Sequence, residues 1–95
     1  MNRRSIDADE SYSTAQELMT SGRYADAIVM YSSALAQNPD NIVSRVGRGL
    51  AFQRIGEHSK AILDFDQVIS HQSDWPGLFS AYYCRAVSRY ALGMS

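Results

Sequence analysis

Between residues 24 and 37 the apolar positions fall at Ala27, Ile28, Tyr31, Ala34 and Leu35, which places them on one stripe of an amphipathic helix. Ile62, Phe65, Val68 and Ile69 repeat the stripe further along. The punctuation agrees with the period. Asp7, followed three residues later by Glu10, reads as a capping box that opens a first helix. Gly22 and Gly56 stand where a helix stops at a residue free to take positive φ. Pro39 closes a second helix, and Asp40-Asn41 offers a cap for a third. The pattern predicts five helices, roughly 8–21, 24–37, 42–55, 58–71 and 77–92, with short connections.

The chain also matches itself. At an offset of 34, Ala15 falls on Gly49, Leu18 on Phe52, Gly22 on Gly56, Ala27 on Ala61, Ile28 on Ile62, Tyr31 on Phe65, Ala34 on Val68 and Leu35 on Ile69. Small residues meet small ones, and aromatic meets aromatic. A third, partial copy follows at an offset of 37, with Gly49 recurring as Ala86, Ile55 as Leu92 and Gly56 as Gly93. The three extra residues belong to the turn-forming stretch 71–77. A period of this length marks a stack of supersecondary units, each with apolar surface that only a neighbour can bury.

Composition then removes several functional classes. The 95 residues are 45 % hydrophobic and 20 % charged, and nine basic against ten acidic residues leave a net charge of −1. That balance favours neither nucleic acid nor a membrane surface. The lone Cys84 supports neither an internal disulfide nor a structural zinc. Arg3-Arg4 has no apolar stretch behind it, so no secretory signal is read, and no apolar run is long enough to span a bilayer. A reducing, cytoplasmic setting is the expectation. His58 and His71 lack a same-face metal spacing, and Cys84 has no histidine beside it in sequence. With no phosphate loop and no serine-nucleophile motif either, we expect no enzyme, no cofactor and no metal.

A 34-residue helix–turn–helix with Ala-x3-aromatic in its second helix and a closing proline resembles the tetratricopeptide repeat. Gly22-Arg23-Tyr24-Ala25-Asp26-Ala27-Ile28 through Tyr31, Ala34, Leu35 and Pro39 carries the likeness, which extends over most of residues 8 to 93. Gly56 through Ile69 repeats it with Ser73 in the proline's place, and Tyr82-Tyr83-Cys84-Arg85-Ala86 through Gly93 is similar to a third first helix. Ser11, Arg45 and Tyr82 depart from the family's tryptophan; Thr14, Arg48 and Arg85 depart from its leucine. The resemblance implies an all-α solenoid of antiparallel helix hairpins: a tail at 1–7, one repeat at 8–41, a second at 42–75 with an extended connection at 72–77, and a first or capping helix of a third at 78–95.

It also implies a function. The first helices of such repeats line a groove that receives a segment of another protein, placing Tyr12, Ser13, Gln16, Met19, Val43, Val46, Leu50, Gln53, Tyr83, Val87 and Tyr90 on that lining. The set is apolar and aromatic, suited to an apolar or amphipathic peptide or helix. The competing reading buries Val46, Leu50 and Val87 between helices and leaves Tyr12, Tyr83 and Gln53 exposed. Family co-chaperones clamp a chaperone's terminal carboxylate with cations and amides, but the matching places here hold Tyr12, Gln16, Gly47, Ser80 and Cys84, with no cation. A chaperone-tail clamp is therefore the lesser alternative.

The remaining expectations concern packing. Ala15, Gly49 and Ala86 are read as crossing points of neighbouring helices. Arg48 pairs with Asp64 or Asp66, or else both Arg48 and Arg85 point into the groove toward an acidic ligand; Arg85 otherwise pairs backward or stays free. Trp75 folds over a helix end or touches a partner. The last helix carries Phe79, Tyr82, Tyr83, Val87, Tyr90 and Leu92 around much of its circumference. That predicts a fragment of a longer solenoid, or a homodimer formed through the C-terminal helix.

Overall fold

The computed structural model describes residues 7–71 and 75–93. Five helices follow in order: α1 (Ala8–Thr20), α2 (Tyr24–Gln37), α3 (Ile42–Arg54), α4 (His58–His71) and α5 (Leu78–Ala91). The described residues contain no strand, and the protein is an all-α helical-repeat fold. Helix boundaries fall within one residue of those read from the pattern.

Local chemistry accounts for the ends. Asp7 accepts a hydrogen bond from the Glu10 amide at 2.8 Å, and Asn41 accepts one from the Ser44 amide at 3.2 Å, so each satisfies a free donor at a helix start. At the other ends Gly22 and Gly56 adopt φ of 77° and 81°. The chain then turns back so that the Arg23 amide donates to the Leu18 carbonyl and the Glu57 amide to that of Phe52, each at 2.8 Å. Gly93 takes the same left-handed conformation after α5.

The helices stack in chain order into a body of 55 × 29 × 18 Å, with α1 on α2, α2 on α3, α3 on α4 and α4 on α5. Each hairpin has its own core. Ala15, Ala27 and Tyr31 form the first, with Tyr12, Leu18, Met19 and Met30 against it. Ala61, Phe65, Val68 and Ala81 form the second, flanked by Ile42, Val46, Leu50 and Phe52 among others. Trp75 joins this second core, its ring folded over Gly77 at the start of α5. Residues 72–74 of the connection lie outside the described residues.

A second stripe of small residues makes the seams between units. Ser44, Gly47 and Ala51 are buried on α3, with Gly47 against Tyr31 of α2; on α5 Ala81 and Ser88 are buried and Cys84 half-buried, with Ala81 and Cys84 on the core built by α4. The matching positions of α1 are Glu10, Ser13 and Glu17, polar where no described helix precedes.

One packing expectation fails. Gly49 lies beneath Phe65, where a Cβ would come within 2.8 Å of the ring, and Ala15 is fully buried, but Ala86 is exposed. In the first two units the small residue receives an aromatic from the helix that follows. No described helix follows α5.

Candidate partner-binding face

The positions expected to line the groove divide into three groups. On α1, Tyr12 is half-buried with its ring 6.1 Å from that of Tyr31, and Met19 packs on the first core. Gln16 is exposed along its edge, but its amide oxygen accepts a short hydrogen bond from the Tyr31 hydroxyl. On α3, Val46 and Leu50 lean on the second core and are only half-exposed; Val43 is exposed. On α5, Tyr83, Val87 and Tyr90 stand free, Tyr83 at 66 % and Tyr90 at 85 % exposure. Their spacing of four and three residues places them on one helix face. The open apolar surface is thus concentrated at the α5 end.

Gln53 departs from its expected exposure. Its side-chain amide donates to the Cys84 carbonyl at 2.8 Å and to the Ser88 hydroxyl at 2.7 Å, while His58 Nδ1 lies 3.1 Å from the same hydroxyl. These contacts knit α3, α4 and α5 together around a fully buried serine. Both amide hydrogens of Gln53 are thus engaged by α5, so the side chain joins helices as well as standing at a groove position.

The two arginines at the leucine positions do not face the groove. Arg48 Nε and Nη2 reach the two carboxylate oxygens of Asp64 at 2.9 and 2.7 Å, and Nη1 donates to Ser32 at 3.2 Å. This two-pronged bond, opposed by burial, holds the Arg48 guanidinium protonated even more firmly than usual. Arg45 adds a contact to Asp64 at 3.6 Å and donates to the Pro39 carbonyl at 2.9 Å. Of the two acids open to Arg48 in sequence, it takes Asp64, and Asp66 pairs with Arg85, which reaches back from α5 at 2.9 Å as one of its expected alternatives. The two acids of α4 are thus divided between the helices on either side.

Burial pushes the Cys84 thiol up, a shift that nearby Arg54 partly offsets, which disfavours the reactive thiolate. Among the described residues no group of His, Cys, Asp or Glu could hold a metal ion, and no helix is long and apolar enough to cross a membrane. A cavity of about 220 Å³ lies between the α2–α3 turn and the end of α4, lined by Pro39, Asp40, Ile42, Arg45, Gln67, Val68 and His71. None of the groove positions lines it.

The stripes Ser44–Gly47–Ala51 and Ala81–Cys84–Ser88 do not stand out from the helical period of apolar residues. A signal existed: at an offset of 37 each member of the first falls on a small residue of the second.

No family model matches the chain, and no solved structure does. Curated relatives do. Two are named tetratricopeptide repeat and J domain-containing co-chaperones. The protein from Fusarium oxysporum f. sp. lycopersici is 33 % identical over 63 residues, and that from Cryptococcus neoformans var. grubii 31 % over 72. Tetratricopeptide repeat protein 13 of Homo sapiens is 32 % identical over 76. The matches cover 66 %, 76 % and 75 % of this chain, but the chain spans only 12 %, 13 % and 9 % of those proteins. With the duplicated hairpin and its small-on-aromatic contacts, these matches show that the chain belongs to the tetratricopeptide-repeat family.

Proposed function

We propose that this protein is a non-enzymatic interaction module that binds an apolar or amphipathic segment of another protein. The observation that carries the reading is the uncharged row Tyr83, Val87 and Tyr90 on α5, exposed although its residues are of the type that packing normally buries. Val43, Val46 and Leu50 on α3 extend it with aliphatic surface, and Tyr12, Gln16 and Met19 form its α1 edge. Aromatic anchors of this kind dominate binding energy at protein interfaces.

A chaperone-tail clamp finds less support. Gly47 lies under the Tyr31 ring and Cys84 packs on the second core, so two of the five clamp places face inward. The co-chaperone names of two relatives support a protein partner without supplying the missing cations.

Selection of helix-forming peptides from a random display library tests the reading. Enriched sequences are expected to carry aliphatic or aromatic residues at helical spacing, and Tyr83→Ala with Tyr90→Ala should weaken them at least tenfold with the thermal melt unchanged. Enrichment of acidic peptides dependent on a free C-terminal carboxylate would overturn the apolar groove.

A further inference from the structure

We propose that Arg54, at the end of α3, makes the groove selective for a segment that carries an acidic side chain beside its apolar stripe. The inference rests on the apolar groove proposed above and adds to it the charge of the partner. The carboxylate belongs to a side chain within the segment and not to a chain terminus.

Helical spacing puts Arg54 on the groove side of α3. It follows Leu50 by four residues and Val46 by eight, so the three share a stripe. Its neighbour Gln53 fixes where that stripe ends, because the Gln53 amide donates to the Cys84 carbonyl and the Ser88 hydroxyl of α5. Arg54 itself lies near enough to Cys84 to offset part of the rise in that thiol. Tyr83 and Val87 immediately precede Cys84 and Ser88, so Arg54 ends beside the exposed row of α5.

The other cations of α3, α4 and α5 are committed or face elsewhere. Arg45 and Arg48 turn to Asp64, Arg85 to Asp66 and Lys60 to Glu57. Arg89 repeats the register of Phe52, which packs on the second core and not toward the groove. Arg54 is exposed and has no carboxylate partner among the described residues. Neither α3 nor α5 contains an acidic residue, so neither of these two walls opposes its charge. The corresponding ends of α1 and α5 are Thr20 and Ala91, so only α3 ends in a charge.

Charge at the α1 end has the opposite sign. Asp9 precedes Tyr12 by three residues on the same stripe and is exposed. The open apolar surface is concentrated at α5, and a basic segment seated there would meet Arg54. An acidic one would complete it. An exposed charge at the rim of an apolar face decides which partners are admitted more than how tightly they are held.

The test runs the selection of helix-forming peptides in parallel on the full chain and on Arg54→Glu. The unaltered chain is expected to recover Asp or Glu beside an apolar stripe, and Arg54→Glu to recover Lys or Arg at that place. Synthesised with an amidated C-terminus and followed by anisotropy, the acidic peptides should bind Arg54→Gln about threefold and Arg54→Glu about tenfold more weakly than the unaltered chain. Counterparts with lysine for the acidic residue should show the reverse order. Apolar peptides recovered without an acidic preference, or an acidic preference that survives in Arg54→Glu, would overturn this inference and leave the apolar groove standing. So would a lowered melting temperature in Arg54→Gln with the order of peptide affinities unchanged, since the cation would then serve only the end of its helix. Recovery of no apolar peptide at all would remove the groove and this inference together.

Discussion

The ring of Tyr31 on α2 covers the α-carbon of Gly47 on α3 so closely that a Cβ built there would sit 2.4 Å from the ring. This is the contact that joins the two repeats. Tyr31 is fully buried and its hydroxyl is held by Gln16, so the ring has no free direction in which to yield. Gly47→Ala is expected to destabilise the protein by about 1–3 kcal/mol despite the roughly 1 kcal/mol that alanine favours a helix interior. At about 4–8 °C per kcal/mol for a domain of this size, a calorimetric scan resolves the effect. A raised melting temperature would show that the seam is loose.

Arg48 and Asp64 form the second link. The Asp64 side chain is only 4 % exposed, so deleting its partner strands a carboxylate away from water. Arg48→Ala should cost about 3 kcal/mol, softened by the more distant Arg45, whereas Arg48→Leu combined with Asp64→Leu should recover most of that loss. Urea titrations of both singles and the double give the coupling directly; additive losses would show that the pair contributes no interaction of its own.

Ser44 offers a stabilising change. Its hydroxyl is buried without a hydrogen-bond partner among the described residues, and the matching position on α5 is already Ala81. Ser44→Ala should raise stability by about 1 kcal/mol, because no desolvated hydroxyl then remains. Chemical denaturation checks the sign, and a loss of stability would reveal a bonded hydroxyl.

Alkaline titration reports on the first core. Burial, with a smaller contribution from Tyr12, pushes the Tyr31 hydroxyl up to about 12. An unfolded tyrosine releases its proton near pH 10, so above that pH the unfolded chain holds fewer protons than the folded one and stability falls as pH rises. Between pH 10 and 12 the loss attributable to Tyr31 is on the order of 2 kcal/mol, and it should vanish in Tyr31→Phe. Parallel pH profiles for the two proteins would contradict this account of the shift.

The fold was legible because the side chains that set helix crossings are unusual ones. Gly49 opposite Phe65 and Ala15 in the core of Tyr31 leave a mark in the sequence at an offset of 34 that ordinary leucine packing would not. Capping was equally plain at Asp7 and Asn41, where a short polar side chain meets free amides. The binding face was only partly legible. A helical period states which residues share a stripe but not which of several apolar stripes is covered, so Val46 and Leu50 on α3 looked the same as Val87 on α5. The backward pairing of Arg85 was legible but its acceptor, Asp66, was not, and Gln53 shows the same gap, because a helical period does not say which side chain of the next helix lies within reach. Ala86 repeats the small residue of the earlier units, but no helix among the described residues covers it.

Helix α3 alone touches all four other helices, while α1 and α5 each have one principal neighbour. Backbone protection against hydrogen exchange should therefore form a gradient along the molecule, deepest in the middle and shallow at either extremity. Heating or mild denaturant would peel the protein inward, with loss of α1 leaving the α3–α4 pair standing. What looks like one small domain should come apart as a short zipper with two loose ends.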